Sequence, residues 1–351
     1  MRHTEVLRGQ FGDLTIIRAK ALSAIRKWFD ENGYLEVIPP TLTGATGSCE
    51  WFPNAINIEM IDELGNPRQM FLRQTAQLHL EPMTVAHNRV YTIGQSFRYE
   101  KQITTRHLWE FTLIEFEGRD FGLEGLMDQI ESLFKACFAA VVGKSGNGYR
   151  ANLAEYTEKP FSRLTYDQGI EVLRDNGVTI RYGEDFTSHD EQILVSLTGG
   201  APLFLTEYPA DPRPKQGGVV KFFSMERKDR NGGCSSGCGS TSPEHVSPDR
   251  VTECCDLLLP NVGETVGGAV RVGKPDIIRR QFKESLMYEH IKQTGLDPET
   301  EFDWYFDTIL DDDTQSAGCG IGFERLIQFM TQAQSIKDCV EFPRSPDFIR
   351  P

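Results

Sequence analysis

The sequence predicts an α+β protein, an antiparallel sheet flanked by helices, and three observations carry that reading. Residues 97–117 (FRYEKQITTRHLWEFTLIEFE) begin as a strand pattern, break into a polar loop, and resume with Phe111, Leu113, Glu115 and Glu117 alternating against Thr112, Ile114 and Phe116. That is the pattern of an antiparallel hairpin with a charged tip. Two amphipathic segments accompany it. Residues 15–32 place Ile17, Leu22, Ile25, Trp28 and Phe29 on one helical face and stop at Gly33, and the stretch after the hairpin does the same with Leu126, Ile130, Leu133, Phe134 and Cys137. Finally, a glycine-rich strand around Gly318, Gly320 and Gly322 passes directly into a helix beginning Glu324-Arg325-Leu326.

Composition bounds the function. The 351 residues are 39% apolar and 25% charged, ordinary for a globular protein with one large core or two smaller ones. No apolar run approaches the length of about 18 residues needed to cross a membrane, and the N-terminus lacks a signal-peptide core. A cytoplasmic protein without a membrane partner is expected. Eight cysteines are too sparse for a disulfide scaffold and fit reduced thiols. A net charge of −14 disfavours broad nucleic-acid binding while leaving room for a local basic site.

The hairpin tip holds Arg98, Glu100, Lys101, Arg106 and His107. Guanidinium forks spaced by two strands suit a polyphosphate, so a nucleotide is the first expectation; an edge hairpin whose charges merely keep it soluble is the alternative. The stretch resembles motif 2 of the class II aminoacyl-tRNA synthetases, in particular the asparaginyl and aspartyl enzymes. The likeness is carried by Phe97-Arg98-Tyr99-Glu100, Arg106-His107-Leu108, Glu110-Phe111 and Ile114-Glu115. It implies ATP binding by Arg98, Glu100, Arg106, His107 and Phe111, with Arg98 on the α-phosphate, His107 near the γ-phosphate and Phe111 stacked on adenine.

Taken in order, the helix of residues 15–32 and the short strand running to Pro39 and Pro40 are similar to motif 1, which in that family forms a homodimer interface. Residues 43–53 form a glycine-rich loop, and its Cys49-Glu50 is similar to a pair in asparaginyl enzymes; the likeness implies that Glu50 meets the substrate's ammonium. Cys49 reads as a packing residue, since no base lies near it in sequence. The helix opening near Gln77 is similar to the family stretch whose glutamine contacts the α-amino group. Aspartyl enzymes carry a lysine three residues later to neutralise the substrate carboxylate, where this chain has Leu80. That departure favours the asparaginyl branch, because a buried carboxylate without a cation is costly.

Residues 143–209 read as an inserted lobe on the same domain. Residues 211–250 depart from the family and read as a polar Gly/Ser/Cys-rich loop. Cys234, Cys238, His245, Cys254 and Cys255 are of the right types for zinc, but adjacent cysteines on a strand point to opposite faces.

The strand pattern that follows carries Asp256 and Glu264 around a turn, hard oxygen donors that suit Mg²⁺ on ATP phosphates. The run of Asp256, Glu264, Gly267, Gly268 and Arg271 is again similar to asparaginyl enzymes. It implies Asp256 and Glu264 as metal ligands and Arg271 at the substrate's side-chain oxygen. The segment from Gly318 to Arg325 resembles motif 3, with Arg325 placed to hold phosphates at a helix start.

The whole chain, 1–351, is therefore expected to be a class II synthetase catalytic domain without an N-terminal OB-fold anticodon reader. Stand-alone cores of this kind include asparagine synthetase-like proteins. The resemblance implies an adenylate-forming ligase using ATP and Mg²⁺, with Arg98, Glu264 and Arg325 as its catalytic groups, aspartate or asparagine as substrate, and ammonia or another small amine as acceptor. A truncated asparagine–tRNA ligase charging tRNA is the alternative. A non-catalytic amino-acid or partner-binding paralogue is the competing class, against which the intact triphosphate clamp speaks.

Overall fold

A computed structural model describes residues 2–44, 52–142, 153–210, 223–227, 251–310 and 315–349. The helix Gly12–Glu31 buries Leu14, Ile17, Ala21, Ile25, Trp28 and Phe29, a stripe at helical spacing. It ends where Gly33 takes a φ of 75°, a left-handed conformation that glycine adopts without Cβ strain. Its partner, Leu123–Val141, buries Leu126, Ile130, Leu133, Phe134 and Cys137, the face expected from sequence. Both helices lie on one side of a large sheet. Phe29 stacks on Tyr91 of the sheet at 4.0 Å between ring centroids and meets Phe116 edge-on. Burying rings of this size supplies about 1.5–3 kcal/mol each, so this face is where the sheet is anchored.

The strands are β1 (Leu35–Glu36), β2 (Leu42–Thr43), β3 (Ile56–Ile61), β4 (Pro67–Leu72), β5 (Arg89–Phe97), β6 (Glu110–Gly118), β7 (Ser162–Thr165), β8 (Leu203–Thr206), β9 (Cys254–Leu259), β10 (Gly263–Val270) and β11 (Ala317–Gly322). Eight form one sheet in the order β1-β5-β6-β11-β10-β9-β8-β7, and β2-β4-β3 form a small second sheet. The large sheet is antiparallel through its centre. Its ends differ from a purely antiparallel expectation: β1 runs parallel to β5, and β7 parallel to β8. The cause at the far end is a helical crossover between β7 and β8, built from Tyr166–Asp175 and Ser188–Leu197.

The hairpin is present as β5 and β6, with Phe97 opposite Glu110. Its first strand lies upstream of the 97–117 stretch, which starts where β5 ends. Alternation along β6 sends Ile114 and Phe116 into the helix-covered core and turns Glu115 and Glu117, also buried, toward the opposite face. Residues of the lobe extend the same sheet, since β8 pairs with β9, and a separate apolar cluster around Tyr166, Leu173, Phe186 and Leu194 fills it.

Within residues 211–250, the described part is 223–227. It does not run free: Ser224 bridges Arg271 and Glu226 bridges Thr252. Arg73 ties the segment after β1 to β5, donating to the carbonyls of Pro39 and Gln95, each at 2.9 Å.

Candidate active site

On the sheet face opposite the long helices lies a cavity of about 260 Å³. Alternation on β6, β9, β10 and β11 aims its polar side chains there, and Gly267, Gly320 and Gly322 leave its floor flat. Glycine is also required one step behind the floor. A Cβ at Gly318 would stand 1.9 Å from Glu117 Oε2 and 2.3 Å from the Phe116 carbonyl oxygen.

One end is cationic. Arg98, at the end of β5, stands with its guanidinium 5.8 Å from the centroid of the Phe111 ring, so the ring and the cation face the same space. Arg106 and His107 come from the hairpin loop, and Arg325 from the helix Phe323–Thr331 that follows β11. Arg325 donates through Nη1 to the Glu264 carbonyl, with the Glu264 carboxylate 3.8 Å away. The His107 imidazole is pushed down to about 4 by burial and by the guanidiniums of Arg325, Arg98 and Arg106. It is thus neutral at physiological pH, a hydrogen-bonding group among arginines, with Nδ1 held 2.9 Å from Thr104 Oγ1.

Asp256 and Glu264 line the cavity from adjacent strands, where Leu258 is the partner of Glu264 and Asp256 the partner of Gly267. Asp256 and Leu258 are two residues apart on β9, so the two carboxylates share a face, with a bulge between Glu264 and Val266 adjusting the register. A cation that keeps most of its waters needs only one or two such oxygens, and the donor set fits Mg²⁺. Among the described residues no group of three or more His, Cys, Asp or Glu side chains is arranged to hold a metal by itself. Cys255 is buried in the core, while Cys254 lies at the cavity side beside Thr252 Oγ1 at 3.0 Å, so the adjacent pair does diverge. Cys234, Cys238 and His245 lie outside the described residues, as do Cys49 and Glu50.

The other end is closed and polar. Arg271 is buried and pairs bidentately with Glu117, Nη2 to Oε2 at 2.9 Å and Nε to Oε1 at 3.1 Å. Glu81 Oε1 lies 3.6 Å from Arg271 Nε, accepts from Gln77 Nε2 at 2.6 Å, and its Oε2 accepts from the Tyr305 hydroxyl at 2.7 Å. Burial weakens the charge on Arg271, but Glu117 and Glu81 outweigh it and hold the guanidinium protonated. Burial raises Glu81 to about 7, a shift that Arg271 opposes. Leu80 is buried at the same end. Glu115 accepts from Thr75 Oγ1 and from the Ala76 amide, which orients the start of the helix Gln77–Met83 and so Gln77 itself.

The structure thus gathers Arg98, Arg106, His107, Phe111, Gln77, Asp256, Glu264, Arg271 and Arg325 around one space. Glu100 is not in its lining; the carboxylate accepts from Asn54 Nδ2 at 3.3 Å while its carbonyl receives the Trp109 indole. Sequence reasoning missed Glu81, Glu117, Tyr305 and the stretch carrying Phe223 and Ser224. Glu81 was within reach, because it stands four residues after Gln77 on one helix. Phe223 supports Arg271, 5.0 Å from ring centroid to guanidinium carbon, but sits inside a stretch that reads as polar loop.

Known proteins match this chain along nearly its whole length. The chain is 28% identical over 361 residues to a probable mitochondrial asparagine–tRNA ligase of Dictyostelium discoideum, covering 99% of this chain and 72% of the relative. It is 29% identical over 374 residues to an asparagine–tRNA ligase of Nostoc sp., covering 98% and 73%. The fold superposes on asparaginyl-tRNA synthetase from Pyrococcus horikoshii complexed with asparaginyl-adenylate with a TM-score of 0.78 at 24% identity, over 100% of this chain and 72% of that one. No helix among the described residues is long and apolar enough to cross a membrane. The profile of the tRNA synthetases class II (D, K and N) matches residues 1–346, and the chain belongs to that family of ATP-dependent ligases.

Proposed function

We propose that the protein activates asparagine as its adenylate and passes the asparaginyl group to tRNA. The observation that carries this reading is the closed end of the cavity, where one guanidinium, Arg271, stands between two carboxylates, Glu117 and Glu81. An aspartate β-carboxylate placed there would meet a cation already neutralised by Glu117, the like charge of Glu117 joined by that of Glu81 above about pH 7, and the apolar Leu80. A neutral amide avoids that cost and can donate to a carboxylate while accepting from a guanidinium. Asparagine as substrate also argues against ammonia as acceptor. The ammonia reading requires activation of an aspartate side-chain carboxylate, the group this end disfavours. The curated relatives named above are asparagine–tRNA ligases, which favours tRNA as well.

At the cationic end, an α-carboxylate oxygen of asparagine attacks the α-phosphorus of ATP, the bond to the bridging oxygen breaks, and pyrophosphate leaves with the electron pair. The nucleophile is already an anion, so no general base is needed. Arg98 neutralises charge on the α-phosphate, Arg325 and Arg106 hold the β,γ end, and neutral His107 donates a hydrogen bond there. Mg²⁺, when held by Asp256 and Glu264, supplies Lewis-acid neutralisation of the phosphate oxygens. A tRNA hydroxyl then attacks the acyl carbon and AMP departs.

Pyrophosphate exchange into ATP, run with asparagine and aspartate separately, tests the first half. Asparagine is expected to support exchange, and Arg98→Ala to reduce it by about two to three powers of ten, the scale for one transition-state charge contact. Exchange with neither amino acid would favour the non-catalytic paralogue. Parallel assays for asparaginyl-tRNA and for asparagine made from aspartate and ammonium decide the acceptor.

A further inference from the structure

The helix Ser188–Leu197 begins at Thr187, whose hydroxyl accepts from the Asp190 amide while Asp190 Oδ2 accepts from the Thr187 amide at 2.8 Å. That cap fixes the helix phase and sets Ser188 and Glu191, three residues apart, on one face. Both meet Arg106 of the hairpin loop, Ser188 through its hydroxyl at Nη1 and Glu191 through Oε2, 3.1 Å from Nη2. The same Glu191 oxygen accepts from the Glu264 amide at 3.2 Å. The next residue, Gln192, accepts from the Asn261 amide at 2.8 Å, so this helix also holds the turn between β9 and β10.

Gly263, the first residue of β10 after that turn, has a φ of 85°, and a Cβ there would stand 2.2 Å from Glu191 Oε2 and 2.8 Å from Arg106 Nη2. The start of β10 is packed directly on the ion pair. Arg106 Nε, meanwhile, is buried without a hydrogen-bond partner among the described residues, at the edge of the cationic cavity. The guanidinium is thus held by the lobe while its residue lines the cationic cavity.

We propose that Glu191 is a positioning residue for ATP, reaching from the inserted lobe to hold both Arg106 and the Gly263-Glu264 start of β10 in the geometry that receives the β,γ-phosphates. The inference rests on the adenylation reading above. It gives the lobe a part in nucleotide binding: one carboxylate oxygen ties two otherwise separate pieces of the phosphate site together. Glu191 lies at the cationic end, away from Arg271 and Gln77, so its effect is expected on ATP and not on the amino acid.

The test is equilibrium dialysis of the full chain with labelled ATP and Mg²⁺ in the absence of amino acid, paired with pyrophosphate exchange. Glu191→Ala is expected to weaken ATP binding about tenfold or more, the scale of one lost charge-assisted hydrogen bond. Glu191→Gln keeps the size and one acceptor and should lose less. The KM for asparagine should stay within about twofold, as expected for sites with no shared partner. Because Glu191 acts partly through Arg106 and partly through the Glu264 amide, the double variant Arg106→Ala/Glu191→Ala should bind ATP more weakly than Arg106→Ala, but by less than the product of the two single losses. Wild-type affinity in Glu191→Ala, tighter binding, or losses that multiply in the double variant would each overturn the proposal. Wild-type protein that binds no ATP would overturn the adenylation reading with it, whereas normal wild-type binding beside an unaffected Glu191→Ala removes the positioning role alone.

Discussion

At the scale of single residues, the decisive group is Glu81. Burial holds its carboxyl near 7, so it passes from neutral to anionic across the range in which such an enzyme is assayed. Below that value a protonated Glu81 has no negative charge to repel an aspartate side chain, and its uncharged carboxyl is a weaker acceptor for an amide N–H. Above it, the anion favours asparagine and disfavours aspartate. The ratio of asparagine to aspartate activation is therefore expected to rise as pH goes from about 6 to about 8, as for one carboxyl ionising. Glu81→Gln should flatten that profile and reduce discrimination; a variant with the wild-type profile would remove Glu81 from substrate selection. His107 gives the opposite expectation. With its imidazole near 4, the phosphate end should show no histidine titration between pH 6 and 8.

At the scale of elements, the site depends on strands that approach without side chains between them. Gly318 on β11 pairs with Glu117 on β6, and the missing Cβ is what allows the Glu117 carboxylate to lie flat and reach Arg271 on the far side of the ladder. Gly318→Ala must displace either a carboxylate or the Phe116 carbonyl. A cost of about 1–3 kcal/mol is expected, as for other overpacked positions, read as a lower midpoint in denaturant. The KM for asparagine should rise with it, because Glu117 cannot move without Arg271. An unchanged KM in a destabilised variant would show that the Glu117 and Arg271 pair serves folding alone.

At the scale of the whole molecule, the segment after the first long helix leaves Leu35 half exposed and Ile38 95% exposed. Leu35 lies on β1, the edge strand that pairs with β5 on one side only, and Ile38 follows two residues after that strand ends. We expect this edge to be covered by the same edge of a second copy, a two-fold contact that closes a dimer. Light scattering should give a dimer mass at micromolar protein, and Ile38→Asp should shift it toward monomer. A wild-type monomer would refute the expectation. The net charge of −14 further implies that any tRNA contact is local, so charging should fall with salt by a shallow slope, that of a few phosphate contacts.

Much of this was legible in the chain itself. Period-two alternation fixed which face of β6 holds Ile114 and Phe116 and which holds Glu115 and Glu117, and helical spacing fixed the buried stripes of both long helices, because each follows from backbone geometry that no distant residue can alter. The resemblance of its motifs to those of the class II synthetases likewise pointed to Arg98, Asp256, Glu264, Arg271 and Arg325. What only the tertiary structure decided were pairings between residues far apart in sequence. Glu117 meets Arg271, Glu81 meets Tyr305, and Arg106, expected on ATP alone, is also bound by Ser188 and Glu191 of the lobe. A carboxylate's partner and its burial set both its charge state and its role, and neither is a local property of the chain.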